Sequence, residues 1–221
     1  MAPAEVRGGG ATEATVASLL DAAEERFAAD GFQRASLRAV MRTAGADPGA
    51  VHYHFGGRPA LAGAVLDRVL APLNASRLER LTAARSRWGA APIPLPALVD
   101  ALIRPDLDVA ADLERRGPGR ARLVGLIYLE PAAFVTERVE AHFAPVAAAF
   151  MPELLGTLPG IAPDEVAWRI RWVVFGTLGA VLSDPTEAAG HTPDRLAERL
   201  IPSLAAALDP TGRAKATADR P

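Results

Sequence analysis

SLRAVMRTAGADPGAVHYHFGGR, residues Ser36 to Arg58, holds two short helical patterns separated by a glycine. Leu37, Val40, Met41 and Ala44 recur at i, i+3, i+4 and i+7, the spacing of one buried helical face. Ser36 is placed to cap that helix, and Gly45 to stop it. Asp47 followed by Pro48 then predicts a second start, an acid at the N-cap and proline at the first helical position. The resulting helix, Pro48 to about Phe55, turns Val51 and Phe55 inward, and Gly56-Gly57 ends it. Gly49 and Tyr53 lie opposite that pair, with His52 to the side, so the outer face presents Asp47, Gly49, His52 and Tyr53.

Upstream, Val16, Leu19, Leu20, Ala23 and Phe27 mark one face of a first helix, Thr12 to Asp30, which Gly31 ends. Downstream, a helix from about Arg58 carries Leu61, Val65, Leu66 and Val69. A supporting helix before two short helices joined by a tight glycine turn is the helix-turn-helix plan. The second of the pair is the one that enters the major groove. Candidate DNA contacts are Ser36, Arg38, Asp47, Pro48, Gly49, His52, Tyr53, His54 and Arg58. Ser36 and the free N–H groups behind it suit a phosphate, as does the charge of Arg58. His54 is read equally well as a histidine at the edge of the core.

Charge supports this locally and not globally. The 221-residue chain carries a net charge of −2, but Gly31 to Arg58 has four arginines against one acid. The first helix is acidic, and its Glu24-Glu25 pair reads as an outer helical face. His52 and His54 are two residues apart and do not share a helix face, so no metal is expected there. The chain has no cysteine, which excludes a disulfide framework and a thiolate metal site. Val173 to Leu182, the longest near-apolar run, is too short to span a bilayer, and no signal-peptide pattern opens the chain. The expectation is a cytoplasmic protein with no membrane partner. No nucleophile elbow, phosphate-binding glycine loop or metal motif is present, and the only lysine is Lys215, so an enzyme reading is disfavoured and no cofactor is expected.

Leu20-Asp21-Ala22-Ala23, Phe27-Ala28, Gly31-Phe32, Ser36-Leu37, Ala44-Gly45 and Gly49-Ala50-Val51-His52-Tyr53-His54-Phe55-Gly56, followed by Arg58, together resemble the N-terminal domain of tetracycline-repressor-like regulators. The resemblance covers roughly residues 14 to 70 and keeps its order over three helices. It implies an all-α homodimeric repressor that binds double-stranded operator DNA. A small molecule in the C-terminal domain would release the DNA by moving the two reading heads apart. Pro48 stands where the family usually has lysine, and His52 where it usually has tyrosine. Those are groove-facing positions, so the operator is not implied. Pro72-Leu73-Asn74 with Arg77-Leu78 and Leu81 is similar to a fatty-acid-responsive branch, which suggests a lipid-like or acyl effector.

The expected organisation is a helix-turn-helix domain over 12–57, a connecting helix from about 58, and a larger helical ligand-binding and dimerisation domain over 71–209. Residues 1–11 and 210–221 read as flexible tails. Tyr128, Phe134, His142 and Phe143 have the bulk to line a ligand pocket. Glu130 stands out as an acid in an apolar setting, or as the end of a helix at the surface. Between Pro163 and Ser183, Val166, Ile170, Val173, Val174 and Val181 form one apolar stripe; Trp168, Trp172, Phe175 and Gly179 form another. A helix apolar on two sides needs two covers, and a second subunit supplies the outer one. Trp168, Trp172, Phe175, Gly176 and Gly179, with Leu196, Leu200 and Leu204 of the last helix, are the candidate dimer interface. The alternative is a DNA-binding dimer that takes no small molecule.

Overall fold

The computed structural model describes residues 8–130, 132–182, 192–209 and 212. Among these there are nine helices and no strand: α1 (Gly8–Asp30), α2 (Leu37–Ala44), α3 (Ala50–Phe55), α4 (Arg58–Trp88), α5 (Leu95–Arg116), α6 (Arg122–Leu129), α7 (Ala133–Thr157), α8 (Pro163–Leu182) and α9 (Pro193–Leu208). The fold is all-α. No helix among the described residues is long and apolar enough to cross a membrane. The first seven residues lie outside the described set, as does the expected 210–221 tail apart from Gly212.

Leu19, Ala23 and Phe27 of α1 meet Val40 of α2, Val51 of α3 and Leu61 and Val65 of α4, all buried. Phe27 and Phe32 bracket the α1–α2 turn with ring centroids 4.9 Å apart. Truncating either ring to alanine would cost about 3–5 kcal/mol. Helix α1 starts earlier than the sequence suggests, at Gly8, so the glycine triplet belongs to its first turn rather than to a tail. Once α1 is packed, each further residue adds one backbone hydrogen bond, enough to offset glycine's penalty of about 1 kcal/mol.

The larger departure is α4. It does not stop near residue 71 but runs through Pro72 to Trp88. Proline forfeits one helical hydrogen bond. Packing overrides that loss, because Leu66, Val69, Leu70, Leu73, Leu81 and Ala84 are all buried along the helix. Pro105, Pro145, Pro152 and Pro202 likewise sit inside α5, α7 and α9. Helix α4 therefore joins two cores. The first unites α1–α4 with Leu107, Leu113, Leu123 and Ile127 of α5 and α6. The second gathers Leu81, Leu98, Ile103, Val146, Phe150, Val166, Val173 and Leu208. The boundary expected at 71 falls inside this continuous helix, and α5 and α6 pack directly on the helix-turn-helix.

Candidate nucleic-acid interface and effector cavity

Gly45 ends α2 in the left-handed conformation at φ 63°. Its N–H donates to the Arg42 carbonyl and the Ala46 N–H to the Met41 carbonyl, the paired bonds of a Schellman turn. Asp47 was expected to be the N-cap of α3 and is not: that position is Gly49. Pro48 and Gly49 form a turn in which the Ala50 N–H donates to the Asp47 carbonyl at 2.9 Å, and Gly49 caps with no side-chain bond. Proline at the second position of that turn sets the backbone for it. The helix starts two residues late as a result. Val51 is buried, while Asp47, Pro48, Gly49, His52 and Tyr53 are exposed. Tyr53 is 84% exposed, and the half-buried His54 packs edge-on against it at 4.9 Å. Ser36 is exposed and makes no side-chain capping bond, leaving its hydroxyl beside the first turn of α2.

Arg38 and Arg42 are exposed on α2 and make no ion pair among the described residues. Arg34 donates to the Asp30 carbonyl at 3.1 Å. Arg58 is more constrained than its sequence position suggests. Its guanidinium donates to the Gln33 carbonyl and ties the start of α4 to the α1–α2 turn.

That turn is held from a second direction. Glu130, at the end of α6, accepts from the Phe32 N–H at 2.7 Å and from the Gln33 N–H at 2.6 Å. Gly31, at φ 82°, makes room: a Cβ there would lie 3.0 Å from Glu130 Oε2. Nearby, Glu24 corrects the reading of an outer acidic face. It is fully buried, facing Arg116 at 2.7 Å, Arg68 at 3.3 Å and Arg120 at 3.5 Å. Burial pushes its carboxyl above the ordinary value even so. Glu25, beside it, is exposed and among the described residues pairs only with Arg120. Arg68 and Arg116 also bind Asp21, so α1 is clamped onto α4 and α5 by charge as well as by packing.

A cavity of about 530 Å³ opens between α6, α7 and α8, lined chiefly by Tyr128, Val139, Phe143, Ile170, Val174 and Phe175. Of the four expected lining residues, Tyr128 and Phe143 are there and the other two are not. Phe134 packs against the first core, and His142 Nε2 pairs with Asp67 Oδ1 at 2.7 Å. The offset along α7 explains this, since Phe134 and His142 sit on faces turned toward other helices. Behind Tyr128 and Phe143 lies Arg77, fully buried. It donates to Asp106 Oδ2 at 2.5 Å, Asn74 Oδ1 at 2.8 Å, the Leu102 carbonyl at 2.9 Å and the Tyr128 hydroxyl at 3.3 Å. Burial holds the Tyr128 phenol above its ordinary value, so it stays protonated at neutral pH.

The outer face of α8 carries a ladder of Trp168, Trp172 and Phe175, with ring centroids 5.7 and 6.2 Å apart. These side chains are 51%, 55% and 38% exposed, and Gly176 and Gly179 are exposed on the same helix. The leucines of α9 do not join them. Leu204 is buried, and a Cβ on Gly176 would lie 2.9 Å from its Cδ2. Leu196 and Leu200 pack, half-buried, against the chain's own cores. The stripe on α9 is spent on α5 and α8, leaving its small and polar side outward.

The pattern described as "Bacterial regulatory proteins, tetR family" matches residues 19–65, and the one described as "Tetracyclin repressor-like, C-terminal domain" matches residues 100–207. The chain belongs to the TetR family. Among solved structures, the haemolysin II transcriptional regulator HlyIIR is 16% identical, with a TM-score of 0.53 over 88% of this chain and 98% of its own. Salmonella enterica GusR is 19% identical, with a TM-score of 0.50 over 91% and 95%. A TetR-family regulator from Streptomyces coelicolor is 24% identical over 93% and 99%, with a TM-score of 0.49. No curated protein matches.

In this TetR-family chain the reading of α2 and α3 located the exposed face. Glu24, Arg77 and Asp106 were missed as a class: charged residues at core positions. A signal was present. Arg77 continues the stripe Leu66, Leu70, Leu73 toward Leu81, and Glu24 falls between Leu20 and Phe27 at helical spacing. A charge inside an apolar stripe requires a partner, so each position called for one.

Proposed function

We propose that this DNA-binding transcriptional regulator is a cytoplasmic homodimer that represses by occupying an operator and leaves it when a small apolar or amphipathic molecule enters the α6–α7–α8 cavity. The observation that carries the DNA reading is the outer face of α3. Tyr53, His52 and Gly49 are exposed there, as Arg38 and Arg42 are on α2. Hydrogen-bonding and stacking groups on a short helix suit base edges, and flanking guanidinium groups suit phosphates. The aromatic ladder of α8, with its glycines, offers a flat apolar face to the α8 of a second copy.

The link between cavity and reading head is short. Tyr128 lines the cavity, and Glu130, two residues on, holds the α1–α2 turn. An occupant that shifts α6 alters the grip of Glu130 on that turn, and so the placement of α3. The test is an anisotropy titration of a labelled random duplex between about 50 and about 200 mM salt. Wild type should weaken steeply with salt. A variant carrying both Arg38→Ala and Arg42→Ala should have a salt slope shallower by about 2. Failure of the wild type to bind any duplex at the lower salt would sink the proposal.

A further inference from the structure

Resting on the reading of the α6–α7–α8 cavity as the effector site, the chemistry of its inner wall narrows what it can take. Tyr128 and Phe143 stand between the cavity and Arg77. The guanidinium is nearly saturated: four of its five N–H donors are used, on Leu102, Asn74, Tyr128 and Asp106. Its charge is matched by Asp106 in a buried pair. An anionic ligand would therefore find at most one N–H of Arg77 unused, and would lie near a carboxylate that already neutralises its charge.

The Tyr128 hydroxyl is different. It accepts from Arg77, but its own proton has no acceptor among the described residues. The side chain lines the cavity, and the residue is half-buried. Apart from this phenol the inner wall is apolar: Val139, Phe143, Ile170 and Val174. The rim holds one exposed residue of each sign, Glu140 and Arg171, so it favours neither charge. A volume of about 530 Å³ is ordinary for a small-molecule site.

We infer that the effector is an uncharged, mainly apolar molecule bearing a hydrogen-bond acceptor such as a ketone, ester or lactone carbonyl, and that Tyr128 O–H donates to that acceptor. Arg77 acts behind it as a positioning residue, holding the hydroxyl oxygen and leaving only the proton to point outward. A free fatty acid, bound by its carboxylate, does not fit this wall. The acyl part of a neutral ester does.

The test uses three probes of one shape: acetylnaphthalene, ethylnaphthalene and naphthoate, titrated calorimetrically into the full-length protein and its Tyr128→Phe variant. Acetylnaphthalene should bind wild type up to about tenfold more tightly than ethylnaphthalene, the value of one good hydrogen bond. In Tyr128→Phe that preference should fall to near one, with ethylnaphthalene affinity unchanged and the thermal transition of the variant intact. Equal affinity of the two neutral probes for wild type would overturn the role of Tyr128 while leaving the cavity a ligand site. Tightest binding by naphthoate would overturn the neutral class. Failure of all three to bind would remove the effector site itself, and this inference with it.

Discussion

Glu130 joins α6 to the α1–α2 turn, and its contribution follows from its geometry. Its carboxylate accepts from two backbone N–H groups, at 2.7 and 2.6 Å, across nearly one hundred residues of sequence. Hydrogen bonds to a charged group contribute about 1.5–3 kcal/mol each. The bond to Phe32 is partly buried and keeps that value, whereas the bond to Gln33 is exposed and counts for less. Glu130→Ala should therefore destabilise the helix-turn-helix by about 3 kcal/mol, and Glu130→Gln, which keeps one acceptor, by about 1 kcal/mol. Native-state hydrogen exchange by NMR reads this at the bonds themselves. The Phe32 and Gln33 amides should lose protection in Glu130→Ala, more than those of α7. Unchanged protection at both amides, with an unfolding free energy within about 0.5 kcal/mol of wild type, would refute the latch.

Tyr53→Ala should weaken operator binding by about 1–3 kcal/mol with no change in thermal stability, since the ring is outside the core; unaltered affinity in an anisotropy titration would remove Tyr53 from the interface. A Cβ added at Gly179 meets nothing within 4 Å among the described residues, so Gly179→Glu should leave the protomer folded and yield monomers in sedimentation velocity, whereas a dimeric variant would move the interface off α8. Asp67 is held below its ordinary value of 3.8 by hydrogen bonds from Arg138 and His142. A depressed carboxylate stabilises the fold above its unfolded value and loses that contribution as pH falls through the folded one. The melting-temperature gap between wild type and Asp67→Asn should be full near neutral pH and close below about pH 4; a gap independent of pH would contradict the pairing.

The helices of the reading head were legible because their signals are local. Gly45 needs a positive φ, Val40 and Val51 sit at fixed helical spacings, and Tyr53 falls on the opposite side of α3 from Val51. Pro48 misled by two residues, because proline serves a β-turn as well as a first helical position. Pro72 misled further. Whether a helix survives an internal proline depends on the packing around it, here the burial of Leu70 and Leu73 on a helix held against α5 and α7, which no local pattern records. The same holds for Leu204, whose stripe was evident but whose partner was not. A leucine stripe says that a face is buried and not which chain buries it. The Glu130 latch joins residues far apart in sequence, and only the tertiary structure brings them together.

If α3 reads operator sequence on behalf of a two-fold dimer, the protein selects a two-fold site from random DNA. The most direct measurement is selection from a random duplex library with the purified full-length protein at physiological salt, read by sequencing. A palindrome should be recovered whose half-sites are spaced for two α3 helices in successive major grooves, about 34–36 Å apart. Recovery of no sequence, with only salt-sensitive binding common to all duplexes, would contradict it.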